Sequence, residues 1–279
     1  MIVVRAKSAG FCWGVRRAVR AAEDLAAKGG SAIFTDGPLI HNTHEVARLS
    51  ALGVSPADDP SALPAGSRLL VRAHGIPPER EAWLRSLGLD VTDATCPNVA
   101  GIQKRCAESA AAGRTVLILG DPGHAEVVGL LGHAAGRGRV VTGPRDVEAL
   151  PDPGTGITLV SQTTQGEAVF EETAQAVLRR WPEARIEKTI CGATRQRQGE
   201  LTELAGSCDA FVVVGSKASA NTQRLHSLAA ALRPAFVVDS PDDLRAEDFA
   251  DFRTVALTAG ASTPDSLIEA VEARLRSFG

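Results

Sequence analysis

The sequence predicts an α/β protein with mainly parallel sheets in three similar lobes. Short β-branched runs recur along the chain, and each is followed by a polar loop and a helix-length stretch with apolar residues three and four apart. Three cysteines fall in matching loops of this alternating pattern. Strands that alternate with helices form parallel sheets with helices on both faces, and a loop residue that recurs regularly indicates a repeat.

The composition is that of a chain with a large buried core. Of the 279 residues 44% are hydrophobic, and the formal net charge is −3, which shows no bias towards polyanionic partners. No apolar run approaches the roughly 18 residues of a membrane span. Arg5 interrupts the apolar start of the chain, so no signal peptide is predicted. We therefore expect a cytoplasmic protein that binds neither membranes nor nucleic acid.

Nine strand-loop-helix units follow one another along the chain. Each combines a β-branched run of strand length with a loop rich in Gly, Pro, Ser, Thr, Asn or His. The units begin at "MIVVRAKSAGFC", "SAIFTDGPLIHNTHEV", "RLLVRAHGIPPER", "DVTDATCPNV", "TVLILGDPGHAEVV", "ITLVSQTTQG", "RIEKTICGATRQRQ", "FVVVGSKASANTQRL" and "TVALTAGASTPDSL".

The nine units form three sets of three. Cys12, Cys96 and Cys191 lie in the loops of the first, fourth and seventh units, 84 and 95 residues apart. After the second unit of each set comes a short acidic segment, "SPADDPSAL", "GPRDVEAL" or "SPDDL". The pattern predicts one α/β lobe at residues 14–96, a second at 97–191, and a third at 192–265 completed by 1–13 and 266–279. Chance similarity among loops is the alternative.

Residues able to bind ligands collect in the loops after the strands. In open parallel sheets, ligands bind beyond the carboxyl ends of the strands. Three thiolates brought together there would suit zinc or an iron-sulfur cluster, although the chain has no CxxC motif. Cys106 and Cys208 fall within or beside helical stretches, where we expect packed thiols. The polar residues of the loops are His41, Asn42, His74, His124, Glu126, Thr163, Thr164, Ser219, Asn221 and Ser262.

Many of these side chains also have a purely structural interpretation. A lone histidine is usually a satisfied or surface residue, and His44, His133 and His226 lie in predicted helices. Glu126 is either a helix-start carboxylate favoured by the helix dipole or a buried general acid. The loops "SQTT", "SKASAN" and "GAST" are either helix N-caps or donors to a phosphate or diphosphate. The basic run at 15–17, "VRR", is typical of a solvated helix face.

Nine motifs, spread over essentially the whole chain, resemble those of one enzyme family. They read "AGFCWGVRRAV", "GPLIHNTHEV", "RAHGIPP", "DATCPNV", "GHAEVVG", "SQTT", "ICGATRQRQ", "VVGSKASANTQRL" and "TAGASTPDSL", in the family's order. The chain is similar to the 4-hydroxy-3-methylbut-2-enyl diphosphate reductases, which catalyse the last step of the methylerythritol phosphate route to isoprenoids. The resemblance implies three α/β lobes in a trefoil around a central [4Fe-4S] cluster held by Cys12, Cys96 and Cys191.

The resemblance also implies roles for the polar loop residues. Thr163 would position the substrate hydroxyl, and Glu126 would supply protons. Reduced ferredoxin or flavodoxin would deliver two electrons singly, and the C–O bond would break to water and an allyl species. Protonation of that species would give isopentenyl or dimethylallyl diphosphate. The diphosphate of the substrate would bind to His41, His74, His124, Ser219, Asn221 and Ser262.

Four positions depart from the family's motifs. Ala220 stands where a second serine usually precedes the asparagine, and Gly192 stands where a larger, often aromatic residue is common. Asn98 follows the proline after "ATC", and His44 is additional in "HNTHEV". Ala220 and Gly192 would change the lining of the substrate pocket. A paralogue that reduces a different hydroxylated substrate is therefore an alternative.

Two further functions fit the same loop residues without the resemblance. One is a zinc hydrolase built on His41, His74, His124 and Glu126, although the chain lacks the HExxH spacing of helical zinc sites. The other is a non-catalytic module that binds a phosphate-containing ligand, because α/β folds serve many functions.

Overall fold

The structure is a computed structural model, and it describes residues 1–30 and 32–278. Ser31, at which the second predicted unit begins, and Gly279, which ends the third predicted lobe, lie outside the described residues. Within the described ranges, no helix is both long enough and apolar enough to cross a membrane.

Strands and helices alternate along the chain, as the sequence pattern predicts. The strands are β1 (Ile2–Arg5), β2 (Ile33–Thr35), β3 (Val54–Pro56), β4 (Arg68–Val71), β5 (Asp90–Asp93), β6 (Thr115–Leu119), β7 (Gly138–Val141), β8 (Ile157–Ser161), β9 (Arg185–Ile186), β10 (Ala210–Val214), β11 (Ala235–Val238) and β12 (Thr254–Ala259). The helices are α1 (Trp13–Ala27), α2 (Thr43–Ala51), α3 (Pro78–Ser86), α4 (Pro97–Ala111), α5 (Ala125–His133), α6 (Pro144–Ala149), α7 (Glu167–Arg180), α8 (Gly192–Ala205), α9 (Ala220–Ala230) and α10 (Asp265–Arg276).

The chain divides into two compact units. The first comprises Met1–Arg16, Ile40–Arg48 and Gly192–Gly279, and it contains one sheet with the strand order β11-β10-β12-β1. The second comprises Arg17–Leu39 and Leu49–Cys191, and it contains two sheets with the orders β3-β2-β4-β5 and β7-β6-β8-β9.

The predicted fold class, α/β with parallel sheets in three similar parts, is confirmed. Every strand pair among the described residues is parallel, and the three sheets share one order of strands when β1, the first strand of the chain, is counted as the fourth strand of its sheet. Each of the three lobe ranges predicted from the sequence contains the four strands of one sheet. The boundaries of those lobes stay a prediction.

Three strands of the structure are absent from the nine predicted units. They are β3, β7 and β11, and each lies at the edge of its sheet immediately before one of the acidic segments. β3 (VSP) and β7 (GRVV) contain polar or turn-forming residues and lack the continuous apolar run of a central parallel strand, so their sequence signal is weak. β11 (AFVV) is apolar throughout and has no such interruption. The acidic segments themselves form short helical turns at Pro60–Ala62 and Pro241–Asp243 and the short helix α6.

The central strands are buried on both faces because helices cover each side. In β6 the side chains of Val116 and Ile118 pack with residues of α4 and α5, including Leu130. Leu117 and Leu119, at the alternate positions, pack on the other face with α7. Full burial of an aliphatic side chain contributes roughly 1.5–3 kcal/mol, so these two small cores hold the strand rigidly. The loop after β6 therefore begins from a fixed position.

Each sheet has one point where its connections diverge. The chain leaves β6 towards β7 at one edge and leaves β8 towards β9 at the opposite edge, which opens a crevice between the carboxyl ends of β6 and β8. The same order places a crevice between β2 and β4 and another between β10 and β12. Such topological switch points are where open α/β sheets bind ligands.

Candidate functional site

Cys12, Cys96 and Cys191 occupy equivalent positions in the three sheets. Each lies after the strand at one edge, β1, β5 or β9, and directly before a helix of 14 or 15 residues. The backbone N–H of each donates a hydrogen bond of 3.0 Å to a carbonyl in the loop after the neighbouring strand. The acceptors are Ala261 for Cys12, Ala73 for Cys96 and Thr163 for Cys191.

The surroundings of these three cysteines suit metal binding. All three are partly accessible, and each lies at a helix N-terminus, which stabilises negative charge. The Sγ atom of Cys12 accepts a hydrogen bond from the backbone N–H of Val15 at 3.5 Å. Because the thiolate is the form of cysteine that binds metal ions, such positions favour a ligand role.

Cys106 and Cys208 are packed thiols, as predicted. Cys106 lies within α4 and is 0% exposed among Ile102 and Val116, and burial raises the pKa of its thiol to about 12. Cys208 follows α8 at 6% exposure, and burial also raises the pKa of its thiol. Burial keeps both thiols protonated at neutral pH, so neither is suited to bind a metal ion.

Glu126 and Thr163 form a buried acid-hydroxyl pair in the crevice between β6 and β8. The Oε1 atom of Glu126 accepts the backbone N–H of Thr163 at 2.6 Å, and Oε2 accepts its hydroxyl at 2.7 Å. Burial raises the pKa of Glu126 to about 7; the two bonds from Thr163 act in the opposite direction, and the charge of Asp121 raises it further. The carboxyl group can therefore hold or release a proton near neutral pH.

Gln162 connects the two loops that carry this pair. It is 0% exposed, its Oε1 atom accepts the backbone N–H of Asp121 at 2.9 Å, and its Nε2 atom donates to the hydroxyl of Thr164 at 3.0 Å. Gln162 is not among the site residues predicted from the sequence. The available signal was its place directly after β8, at the crevice.

His124 and His74 lie close together in the second compact unit. Their ring centroids are 5.5 Å apart in an edge-to-face arrangement. His124 is the N-cap of α5, and its Nδ1 atom accepts the backbone N–H of Glu126 at 3.2 Å. With Nδ1 used as an acceptor, the Nε2 atom of His124 carries the proton of the neutral ring and can donate it to a ligand.

The crevice between β10 and β12 is lined by hydroxyl groups and glycines. Ser219 caps α9 by accepting the N–H of Thr222 at 3.4 Å. The hydroxyl of Thr222 is buried with no hydrogen-bond partner among the described residues. It faces Gly215 and Gly260, where a Cβ would lie 2.8 and 2.5 Å from it. Asn221 lies one residue before Thr222 in the first turn of α9.

Thr222 is not among the site residues predicted from the sequence. Its signal is the third position after a capping serine, which is also typical of an ordinary helix start. The glycines on either side let the backbone approach closely, and the unpartnered hydroxyl offers a donor to a ligand in the crevice.

His41 and Ser262 meet in the first compact unit. The hydroxyl of Ser262 donates to the backbone carbonyl of His41 at 3.3 Å. Asn42 is structural, because its Oδ1 atom accepts the N–H of Glu45 in the first turn of α2. The additional His44 lies in α2, as predicted, with a ring nitrogen 3.2 Å from the carbonyl oxygen of Asp239.

The interpretation of the hydroxyl-rich loops as N-caps is right for one of the three. Ser219 caps α9, but Gly166 and Pro264 occupy the N-cap positions of α7 and α10. Thr163 and Ser262 instead bond to Glu126 and to His41. The side chains of "SQTT" and "GAST" therefore do not act as N-caps of α7 and α10.

The fold and the site define an α/β protein in which each of three parallel sheets presents a cysteine at a helix N-terminus, beside a crevice with polar groups. The chain belongs to the LytB family: the family described as "LytB protein" matches residues 3–276. This match confirms the family that the nine motifs indicate.

Related proteins share one described activity. A protein of Opitutus terrae described as "4-hydroxy-3-methylbut-2-enyl diphosphate reductase" is 40% identical over 290 residues, which cover 100% of both chains. A protein of Aquifex aeolicus with the same description is 39% identical and covers 99% of this chain and 96% of its own. The solved structure of the E-1-hydroxy-2-methyl-but-2-enyl-4-diphosphate reductase from Plasmodium falciparum matches with a TM-score of 0.92 at 28% identity, over 96% of this chain and 86% of that one.

Proposed function

We propose that the chain is a 4-hydroxy-3-methylbut-2-enyl diphosphate reductase, which forms isopentenyl and dimethylallyl diphosphate by two-electron reductive dehydroxylation. In this reaction the C–O bond of the substrate breaks, the oxygen leaves as water, and the carbon skeleton takes up a proton. Two electrons and two protons enter for each substrate. The site must therefore combine a route for electrons with a buried source of protons.

One observation carries this proposal: Thr163 joins a cysteine to the buried acid. Its carbonyl accepts the N–H of Cys191 at 3.0 Å, while its N–H and hydroxyl donate to the two oxygens of Glu126. Thr163 thus connects the residue that would bind the cluster, Cys191, to the residue that would hold the proton, Glu126. That arrangement matches the pairing of electron and proton delivery which the resemblance implies.

Glu126 supplies the proton in this scheme, with Thr163 between it and the substrate. Its pKa of about 7 leaves the acid partly protonated at neutral pH, which is the condition for an efficient general acid. When Glu126 is protonated, its carboxyl O–H would donate to the oxygen of Thr163, and the Thr163 hydroxyl would turn to donate to the oxygen of the substrate hydroxyl; transfer of both protons leaves Glu126 as a carboxylate, to which Thr163 donates. The leaving oxygen then receives its proton through Thr163.

Cys12, Cys96 and Cys191 would hold a [4Fe-4S] cluster. The donor set fits this group, since three partly accessible thiols have equivalent backbone positions at helix N-termini, whereas the other two cysteines are buried. Three thiolates leave one iron of such a cluster open. When bound, the cluster supplies electrons one at a time and a Lewis-acidic iron for the substrate oxygen.

The diphosphate would bind to the loops at the crevices. Ser219 and Asn221 offer neutral donors at the crevice of the first unit, where α9 begins, and Ser262 would turn its hydroxyl from the carbonyl of His41 to the diphosphate. His74 and His124, with rings 5.5 Å apart, and His41 add donors that gain charge on protonation. These side chains position the substrate without taking part in C–O cleavage.

The electrons would come from a small carrier protein, reduced ferredoxin or flavodoxin. We also propose a cytoplasmic location. The structure describes all five cysteines and joins none of them by a disulfide, which is typical of proteins in a reducing compartment.

Anaerobic turnover tests the proposed function. The purified protein is incubated with 4-hydroxy-3-methylbut-2-enyl diphosphate and dithionite-reduced methyl viologen, and the products are identified by chromatography. We expect both isopentenyl and dimethylallyl diphosphate. An iron-loaded protein that leaves this substrate untouched but reduces another hydroxylated compound would identify the paralogue instead. A protein that contains zinc would contradict the proposal outright.

A further inference from the structure

Trp13 is a large apolar side chain on the surface, next to a proposed cluster ligand. It is the first residue of α1, directly after Cys12, and 62% of it is exposed. Consecutive Cα atoms are about 3.8 Å apart, so anything bound on this indole lies close to Cys12.

The other two tryptophans of the chain each have a stacked arginine, whereas Trp13 has none among the described residues. The guanidinium of Arg80 lies 4.3 Å from the ring centroid of Trp83, and that of Arg180 lies 4.6 Å from the ring centroid of Trp181. No arginine or aromatic ring stacks on Trp13 within the part of the chain that the structure describes. An uncovered tryptophan on a surface is typical of the centre of a protein interface.

The start of α1 is strongly basic. Arg16, Arg17 and Arg20 fall within its first two turns, its first turn contains no acidic residue, and Arg16 and Arg20 are exposed. Residues three, four and seven positions apart share one side of a helix, so Trp13, Arg16 and Arg20 form one face, which we call the Trp13 face. Arg17 donates to the carbonyl of Thr95 at 2.9 Å and so has a structural partner.

This charge has no structural explanation in the helix itself. Cations near a helix N-terminus are opposed by the helix dipole, and the chain as a whole carries a net charge of −3. Arg16 makes one long hydrogen bond, of 3.5 Å, to the carbonyl of Phe11. The basic run was interpreted from the sequence as a solvated face, but solvation alone does not account for an uncovered indole at its centre.

We propose that the Trp13 face is the docking surface for an acidic one-electron carrier protein of the ferredoxin class. This inference rests on the proposed function, which needs two electrons from outside the chain. Each docking oxidises one carrier by one electron and reduces the group at Cys12 by one, and two dockings complete one turnover. Arg16 and Arg20 attract the acidic carrier, and Trp13 supplies the apolar contact at the centre.

The test separates docking from chemistry. The variants are Trp13→Ala, the double charge reversal Arg16→Glu/Arg20→Glu and the milder Arg16→Gln/Arg20→Gln, all prepared as cluster-loaded protein. Matched controls on exposed surface elsewhere are Trp83→Ala and Arg139→Glu/Arg145→Glu. For each protein we measure KM for a reduced acidic bacterial ferredoxin, Kd for the oxidised ferredoxin by calorimetry, and turnover with methyl viologen.

We expect Trp13→Ala and the charge reversal each to raise both KM and Kd for ferredoxin by about tenfold or more. Turnover with methyl viologen and iron content should stay within about twofold of wild type. The Kd of the wild type should rise with salt concentration, and that of the charge reversal should not.

Equal Kd values for wild type, the Trp13 face variants and the controls would overturn the inference. So would a loss of affinity in the controls as large as in the Trp13 face variants. Failure of every protein to turn over substrate with methyl viologen would instead refute the proposed function, and the calorimetric Kd would still decide whether the Trp13 face binds ferredoxin.

Discussion

Replacement of Glu126 by glutamine tests the proposed proton source. Glutamine keeps the shape of the side chain and can still accept the N–H of Thr163, but it has no proton to transfer. We expect kcat to fall by roughly 10²- to 10⁴-fold with unchanged iron content, which is the usual contribution of general acid catalysis. In the wild type, kcat/KM should decrease tenfold per pH unit above about pH 7, where Glu126 loses its proton.

The same substitution measures what burial of this carboxyl group does to stability. The pKa of Glu126 is about 7 in the folded protein against 4.5 ordinarily, so between these pH values the unfolded chain releases a proton that the folded chain keeps. The stabilisation from this group is therefore complete below pH 4.5 and is lost as the pH rises through 7. At about 1.4 kcal/mol for each pH unit between the two values, the loss is about 3 kcal/mol.

Urea unfolding followed by circular dichroism at pH values from 4 to 9 provides the measurement. The free energy of unfolding of wild type minus that of Glu126→Gln should fall by about 3 kcal/mol across this range, because glutamine does not titrate. The same measurement on Glu172→Gln, at an exposed position of α7, is the control for removal of a carboxylate. A flat difference for Glu126→Gln, together with near-native turnover, would refute the reasoning and leave Glu126 as a helix-start carboxylate.

Three further substitutions test details of the loops and helices. Ala220→Ser adds a hydroxyl in the first turn of α9 and should lower KM for the diphosphate substrate by up to about tenfold at constant kcat. The reason is that a hydrogen bond to a charged group contributes roughly 1.5–3 kcal/mol. An unchanged KM in steady-state kinetics would mean that Ser219 already supplies the donor. Gly199→Ala should raise the free energy of unfolding by about 0.5–1 kcal/mol, because a Cβ there meets nothing within 4 Å and alanine favours the helix; a decrease in urea unfolding would contradict this. Gly75→Ala should lower the free energy of unfolding by about 1–3 kcal/mol, because φ is +70° and the added Cβ would collide with Nε2 of Gln103. An unchanged free energy of unfolding would show that the loop relaxes.

The fold was predictable from the sequence because its central strands carry strong signals. The β-branched runs of β6, β8, β10 and β12 are buried on both faces, so each is mainly apolar, with threonine as the polar residue inside β8 and β12, and the polar loop that follows marks its end. The edge strands β3 and β7 were missed because polar or turn-forming residues interrupt their apolar pattern, whereas the apolar run of β11 was open to prediction.

The candidate site was predictable only in part. The cysteines stood out because their spacing follows the repeat of the strands, and the histidines because they lie in loops after strands. The pairing of Thr163 with Glu126 joins residues 37 positions apart, and a local sequence pattern does not predict such a long-range contact. Thr222 and Gln162 are informative through burial and hydrogen-bond geometry, which only the folded chain specifies.

The three proposed ligands are tested most directly by metal content. Wild type, Cys12→Ser, Cys96→Ser, Cys191→Ser and the controls Cys106→Ser and Cys208→Ser are purified anaerobically, and iron and acid-labile sulfide are determined per chain. We expect about four iron and four sulfide per chain in the wild type and in both controls. The variants at Cys12, Cys96 and Cys191 should lose most of the iron and sulfide, because hard oxygen replaces a soft thiolate. Five variants with the same iron content, or zinc in place of iron in the wild type, would contradict the assignment of the three ligands.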